Sequence, residues 1–126
     1  MKNYPESHER MLELMQAAGQ EIPEQMRAFS QLHKVASKDG AISQSNKELI
    51  ALGIAIAVRC DGCIAFHIKD AIKAGCTRAE IMETIGVAIL MGGGPAVMYG
   101  CEALAALNQF SEVTKEAKPI LQNKGY

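Results

Sequence analysis

The feature that most constrains the fold is a run of ten apolar residues in the middle of the chain, Leu49 to Val58. The run is about half of the ~20 residues that a membrane-spanning helix needs, so it predicts a buried core helix instead. A helix without a polar face must be surrounded by neighbours. We therefore expect this helix either at the centre of the subunit or in a contact between subunits.

Glycine and proline residues divide the rest of the chain into helical segments. The sequence contains no tryptophan and many Ala, Ile, Leu and Met residues, which favours close helix packing over a sheet sandwich. We predict an all-α, single-domain bundle of about six helices. The predicted segments are His8–Ala18, a helix from Pro23 that stops before Gly40, Asn46–Arg59, Cys63–Ala74, a fifth helix capped by Thr77 that ends at Met91, and Ala96 to about Phe110.

The ends of the last predicted helix carry two further expectations. Gly92 to Pro95 is interpreted as a tight turn between packed helices and not as a phosphate-binding loop, because no Lys-Ser/Thr pair follows. The tail from Ser111 onward is expected to form a short helix that is broken at Pro119.

Length and charge limit the classes of function. A chain of 126 residues suits one domain, 1–126, and the net charge of −1 provides no basic patch for nucleic acid or for a membrane surface. Met1 to Arg10 has no leader-like apolar segment, so we expect a cytoplasmic protein. In that compartment Cys76 and Cys101 should be free, buried thiols that serve packing.

The strongest chemical signal is Cys60-Asp61-Gly62-Cys63, with His67 four residues further on. Two thiols with two residues between them can close a small disulfide that an attacking thiolate reopens. If a helix begins near Cys63, the positive end of its dipole favours a thiolate there. His67 would then lie one turn along on the same face, where its imidazole can exchange the thiol proton.

Other interpretations of the same residues stay open. Cys60, Cys63 and His67 could be three ligands of a zinc ion, or the thiol pair could be purely structural. His67 alone could be an ordinary packed or solvated residue. The redox interpretation requires neither a metal nor an organic cofactor.

Glu48 is a candidate acid–base residue with a competing explanation. Ser45 to Glu48 fits a capping box, with Ser45 as the N-cap. Twelve residues of straight helix also separate Glu48 from Cys60 by about 18 Å. The helix must bend, the next helix must fold back, or Glu48 must serve the site of a neighbouring subunit.

Together these residues resemble the carboxymuconolactone decarboxylase and alkylhydroperoxidase D family. The resemblance rests on Glu48, Cys60-x-x-Cys63, His67 and the helix end Ala74-Gly75, in that order, and covers residues 25–110. It implies an all-helical subunit that assembles into homotrimers or homohexamers, with the active site near the subunit contacts. The third predicted helix, which is apolar on nearly every side, agrees with such an assembly.

The resemblance also implies a peroxiredoxin-type alkylhydroperoxidase, an oxidoreductase of antioxidant defence. Cys63 would be the thiolate that attacks the hydroperoxide, and Cys60 would be the resolving partner. Glu48 and His67 would relay protons. A thioredoxin-like or lipoyl-bearing protein would reduce the resulting disulfide.

Two alternative functions remain. His67 and Glu48 could be the acid and base of a decarboxylase that acts on a small carboxylated lactone, with incidental cysteines, although the decarboxylase branch generally lacks the pair. The protein could also be a non-catalytic redox sensor or a zinc-stabilised binding module. One departure from the family pattern concerns reactivity: alkylhydroperoxidase D proteins have a histidine between the cysteines. This chain has Asp61 and Gly62, and a nearby Asp61 would oppose thiolate formation.

Overall fold

The chain folds as a succession of α-helices joined by short turns. The computed structural model describes residues 2–123, and the side chains of residues 2–114. Within that range the helices are α1 (Tyr4–Glu21), α2 (Pro23–Ser37), α3 (Gln44–Ala57), α4 (Asp61–Lys73), α5 (Arg78–Gly92) and α6 (Gly94–Asn123). The predicted all-α class is confirmed.

The apolar helix α3 lies at the centre of the packing and contacts α4, α5 and α6. The largest fully buried aliphatic side chains come from these four helices, and each contributes about 1.5–3 kcal/mol through burial. They are Leu52, Ile56, Ile64, Ile68, Ile81 and Leu107. The opposite face of α3 is open, since Ile50, Ile54 and Val58 are half or more exposed.

Helix α1 is longer than predicted at both ends. The Asn3 side chain caps it by accepting the Glu6 N–H, and Pro5 lies in its first turn. Gly19 does not stop the helix, which continues to Glu21. It ends there because Pro23 disfavours the helical conformation at the preceding residue, Ile22. The buried residues of α1 are Tyr4 and His8.

Helix α3 begins earlier than predicted, and its cap is different. Ser43 is the N-cap and its hydroxyl accepts the Asn46 N–H at 3.2 Å. The capping box expected from Ser45 and Glu48 is therefore wrong. Glu48 is left free to make a tertiary contact.

The second half of the chain keeps the predicted boundary between α4 and α5 but not the end of α6. Thr77 and Glu80 form the predicted capping box, with Glu80 N–H donating to the Thr77 hydroxyl at 3.1 Å and Thr77 N–H donating to Glu80 Oε1 at 2.7 Å. Gly93 then turns the chain with φ 68° and ψ −148°, a region that is essentially restricted to glycine. Helix α6 does not end at Phe110: it runs without a break to Asn123, so the short helix expected to be broken at Pro119 is wrong.

Helix α2 stands apart from the core. It contains no buried residue, and Phe29 and Leu32 are 61% and 62% exposed. These two apolar side chains are therefore left largely uncovered within the described part of this subunit. No helix in that part has both the length and the apolar character needed to cross a membrane.

Candidate active site

A tight helix-to-helix turn places the first cysteine. Helix α3 ends in a Schellman motif, in which Arg59 N–H donates to the Ile56 carbonyl at 3.2 Å and Cys60 N–H donates to the Ala55 carbonyl at 3.0 Å. Arg59 occupies the left-handed position, φ 62°, which usually belongs to glycine. The turn reverses the chain so that α4 packs back along α3.

The two cysteines of the motif lie at the start of α4 and form a disulfide, with 5.2 Å between their Cα atoms. Cys60 is the N-cap, and the Cys63 N–H donates to its Sγ at 3.3 Å. Cys63 lies in the first turn, as predicted, and both residues are partly buried. In this state the two sulfur atoms are bonded to each other and cannot bind zinc as thiolates.

The fold-back of α4 brings Glu48 and His67 together within one subunit. His67 Nδ1 and Glu48 Oε2 are 2.9 Å apart, and their side chains are 21% and 6% exposed. Of the three arrangements considered for Glu48, the structure has the folded-back second helix. His67 lies one turn beyond Cys63 on the same face of α4, and Glu48 contacts it from α3.

Asp70 extends this group and was not predicted. The polar side-chain atoms of Glu48, His67 and Asp70 lie within 4.8 Å of one another. One imidazole and two carboxylates form a donor set that could hold a divalent cation. The spacing of His67 and Asp70, three residues apart on a helix, was the available sequence signal.

The residue between the thiols is tied to the N-terminal segment, which sequence reasoning also missed. Lys2 Nζ forms an ion pair with Asp61 Oδ2. The hydroxyl of Tyr4 lies 3.4 Å from Asp61 Oδ1 and donates to the carboxylate of Glu102. The aspartate is thus held between a cation and a phenol, both from outside the predicted motif.

A cleft of about 350 Å³ lies between α1 and the first half of α4. Its lining includes Asp61, Gly62, Phe66 and His8, but neither cysteine. His8 is 5% exposed and packs edge-on against Phe66 with ring centroids 4.3 Å apart. None of the described residues provides a hydrogen-bond partner for its Nδ1. Burial, and then Lys69, lower the pKa of His8.

The remaining cysteines differ from expectation in one case. Cys101 is exposed on α6, so its predicted burial is wrong. Cys76 is partly buried, and its thiol donates to the Ser45 carbonyl at 3.4 Å. Burial, followed by the negative charges of Glu80 and Glu48, raises the pKa of the Cys76 thiol. Neither cysteine takes part in a disulfide.

Taken together, the geometry combines a cysteine pair at a helix N-terminus with an imidazole one turn away, which a buried carboxylate contacts. The disulfide can accept two electrons, and the dithiol that results can release them again. Because its Nδ1 faces a carboxylate, the imidazole of His67 is oriented, and Nε2 is left as the atom that can exchange a proton. All four predicted site residues therefore lie at the contact between α3 and α4.

Comparison with known proteins agrees with this architecture. Residues 23–106 match the model of the carboxymuconolactone decarboxylase family. An uncharacterized protein from Cupriavidus necator is 42% identical over 89 residues, which cover 71% of this chain and 79% of that protein.

Solved structures show the same fold. The apo form of lpg0406 from Legionella pneumophila, a carboxymuconolactone decarboxylase family protein, is 41% identical, with a TM-score of 0.84 over 88% of this chain and 99% of that chain. A Thermotoga maritima family protein, TM1620, for which a part in the antioxidative response has been suggested, is 24% identical, with a TM-score of 0.71 over 82% of this chain and 94% of that chain. At that identity the likeness concerns the fold alone. On the family match and these relatives, the chain belongs to the carboxymuconolactone decarboxylase family.

Proposed function

We propose that this protein is a thiol-dependent hydroperoxidase in which Cys60 and Cys63 reduce a hydroperoxide and become a disulfide. One observation carries the proposal: the disulfide-bonded pair lies at the N-terminus of α4, one turn from His67, which a buried Glu48 contacts at 2.9 Å. A pair that served only as a structural link would not need an imidazole on the same face of α4 as Cys63, with a buried carboxylate on α3 in contact with it. The two cysteines would thus provide the electrons, and His67 with Glu48 would provide the protons.

In the first step the Cys63 thiolate attacks the terminal oxygen of the hydroperoxide. A sulfur–oxygen bond forms, the oxygen–oxygen bond breaks, and sulfur is oxidised to a sulfenic acid while the peroxide becomes an alcohol. The departing alkoxide needs a proton, which protonated His67 supplies. Glu48 stabilises that imidazolium and keeps the ring oriented.

In the second step the Cys60 thiolate attacks the sulfenic sulfur. The sulfur–sulfur bond forms, the sulfur–oxygen bond breaks, and the departing hydroxide leaves as water after it takes up the proton that Cys60 released. The N-cap position supports the thiolate of Cys60, because Cys63 N–H donates to its sulfur and the helix dipole is positive there. The same features make Cys60 the better leaving group when the disulfide is reduced.

An external dithiol must return the pair to the reduced state, in exchange for a disulfide of its own. We propose a thioredoxin-like or lipoyl-bearing protein as this reductant, in a reducing compartment such as the cytoplasm. The hydroperoxide is then the oxidising substrate and the dithiol protein is the reductant. The cycle needs neither a metal nor an organic cofactor.

We also propose that the working unit is a homo-oligomer, a trimer or a hexamer. The subunit presents both halves of a helix-to-groove contact: α2 exposes Phe29 and Leu32, and an apolar groove of about 420 Å³ lies between α3 and α5. The groove is lined by Leu49, Ile50, Gly53, Ile54, Ala57, Thr84, Val87, Ala88 and Met91, which include no charged side chain. A second copy of the chain offers the matching apolar helix.

The test is a thiol count by peptide mass spectrometry on reduced protein, before and after a slight excess of tert-butyl hydroperoxide. We expect a Cys60–Cys63 disulfide in the wild type and a dimedone-trapped sulfenic acid on Cys63 in Cys60→Ser. With dihydrolipoamide present, the wild type should consume the peroxide over many turnovers. Cys101→Ser is the matched control, because it removes an exposed thiol outside the site and should keep full turnover.

Three results would overturn the proposal, and each points elsewhere. Thiols that stay reduced would favour decarboxylation or related acid–base chemistry by Glu48 and His67, which a Cys60→Ser/Cys63→Ser double variant should retain. A disulfide that forms once without turnover would indicate a redox sensor. Stoichiometric zinc in the purified protein, lost in Cys60→Ser, would indicate a metal-stabilised binding module.

A further inference from the structure

The aspartate between the two thiols has an arrangement that the proposed reaction does not explain. Asp61 is the first residue of α4, and its negative charge would offset the positive helix terminus that favours thiolates at Cys60 and Cys63. The structure surrounds its carboxylate with Lys2, in an ion pair, and Tyr4, whose hydroxyl is 3.4 Å away. The Tyr4 hydroxyl donates its hydrogen bond to the carboxylate of Glu102.

The segment that supplies Lys2 is firmly attached to the body of the subunit. Gln109 on α6 fixes its backbone on both sides: Tyr4 N–H donates to Gln109 Oε1 at 2.6 Å, and Gln109 Nε2 donates to the Lys2 carbonyl at 2.9 Å. Tyr4 is fully buried. These two hydrogen bonds therefore keep the backbone of Lys2, and with it the ammonium group, near Asp61. An ordinary surface lysine moves more freely.

Exposure argues against a purely stabilising role for the ion pair. The side chains of Lys2 and Asp61 are 42% and 38% exposed, and exposed pairs of this kind contribute little to folding. Asp61 nevertheless follows the N-cap Cys60 directly and lies in the same helical turn as Cys63. A unit charge within a few ångströms of a thiol changes its thiolate population several-fold.

We propose that Lys2 is a positioning residue for the thiol pair: it neutralises Asp61 so that the start of α4 keeps its preference for thiolates, and the ring of Tyr4, whose centroid lies 5.5 Å from Lys2 Nζ, helps to hold the ammonium group in place. Lys2 and Tyr4 lie outside the segment that matches the family model, residues 23–106. The N-terminal segment thus compensates for an aspartate within the redox motif. The inference takes from the proposed function only the assumption that Cys60 and Cys63 work as thiols.

The experiment measures thiol reactivity without any substrate. Fully reduced protein is alkylated with iodoacetamide at pH 7, and the rate at each cysteine is followed by peptide mass spectrometry. We expect Lys2→Met to slow alkylation of Cys60 and Cys63 about three- to tenfold, and Lys2→Arg to restore the wild-type rate. Tyr4→Phe should slow both thiols less than Lys2→Met does.

A charge cycle tests whether Lys2 acts through Asp61. Asp61→Asn should speed alkylation of both thiols, and adding Lys2→Met to it should change the rate less than twofold. Cys101 is an internal reference whose rate should stay constant. Lys73→Met is the matched control, because Lys73 lies in the last turn of α4, about 15 Å from Cys63 along the helix axis.

Two results would overturn the inference. Equal thiol rates in Lys2→Met and the wild type would remove Lys2 from the site, and an equal slowing in the Asp61→Asn background would show that Lys2 does not act through Asp61. Neither result bears on peroxide reduction, because no peroxide is present. Conversely, a protein without peroxidase activity could still show the predicted rates.

Discussion

The imidazole of His67 on α4 and the carboxylate of Glu48 on α3 meet at 2.9 Å, although 19 residues separate them in sequence. Glu48 is 94% buried as a side chain, and the imidazole of His67 is its hydrogen-bond partner. The contact joins α3 to α4, the helix that begins at the Cys60–Cys63 pair. It therefore links the stability of the α3–α4 contact with the chemistry of the site.

We predict that Glu48→Gln lowers peroxide turnover about ten- to hundredfold, because an amide still accepts the His67 N–H but no longer stabilises an imidazolium. Glu48→Ala should lose at least as much activity and also about 1 kcal/mol of unfolding free energy, since it leaves the partly buried Nδ1 of His67 without its partner. Peroxide consumption and urea unfolding measure the two effects. Glu83→Gln on the exposed side of α5 is the control, and wild-type turnover in Glu48→Gln would contradict a proton relay.

His8 should make the fold sensitive to mild acid. Its pKa is lowered by burial and then by Lys69, which together outweigh the opposing charges of Asp70 and Glu9. The unfolded chain therefore takes up a proton near pH 6.5, while the folded chain resists protonation to lower pH. The unfolding free energy should fall as the pH drops below about 6.5, and the loss should level off below the folded-state pKa.

The substitution His8→Phe tests this prediction. It should remove the contribution of His8 to the acid-dependent loss and raise the unfolding free energy at pH 7.5 by about 1 kcal/mol, because the unpartnered Nδ1 disappears. Urea midpoints at pH 7.5 and 5.5, at one protein concentration, give both numbers. His33→Gln on exposed α2 should keep the wild-type pH dependence. A His8→Phe protein with an unchanged pH dependence would rule out His8 as the sensitive group.

How far the sequence predicts this fold depends on whether the signal is local. The Thr77 capping box and the thiol pair at the start of α4 each depend on residues within four positions of one another, and both are found where they were expected. At the start of α3 the prediction named Ser45 as the N-cap, whereas the structure uses Ser43, two residues earlier. The contact from Glu48 to His67, on another helix, accompanies the choice of Ser43.

Long-range contacts explain what sequence analysis missed at the site. Tyr4 contacts Asp61 and Glu102, which are 57 and 98 residues away, and no periodic pattern reports such pairings. Likewise, Arg59 gave no turn signal, because the left-handed position is usually marked by glycine. The candidate site residues were predicted from their chemistry, whereas the groups that contact them depend on tertiary structure.

The two Schellman motifs of the chain provide a matched pair of stability tests. Helix α3 ends with Arg59 at φ 62°, and α4 ends with Gly75 at φ 90° in the same hydrogen-bonding pattern. Arg59→Gly should raise the unfolding free energy by about 0.5–1 kcal/mol, because a left-handed side-chain residue is replaced by glycine. Gly75→Ala should lower it by about 1 kcal/mol for the opposite reason. Urea unfolding measures both, and changes of the same sign would contradict the backbone explanation.

The exposed apolar surfaces of α2, α3 and α5 lead to a prediction about assembly. Phe29 on α2 and Ile54 in the α3–α5 groove are 61% and 58% exposed in the single subunit. If a second copy covers them, the wild type should have a mass in light scattering that is a multiple of the 13.6 kDa chain. A buried charge without a partner is costly, so Phe29→Glu or Ile54→Glu should each weaken association about 100-fold or more.

The control for this last prediction is Gln31→Glu, which adds the same charge to an exposed position of α2 outside the apolar pattern. It should leave the oligomer intact, because a solvated charge costs little. A wild-type protein that runs at 13.6 kDa at micromolar concentration would contradict a homo-oligomer. Dissociation by Phe29→Glu but not by Ile54→Glu would show that α2 lies in the interface and that it does not bind the groove of the other subunit. Loss of mass in both variants, with the helix content unchanged, would identify α2 and the groove as the two sides of one interface.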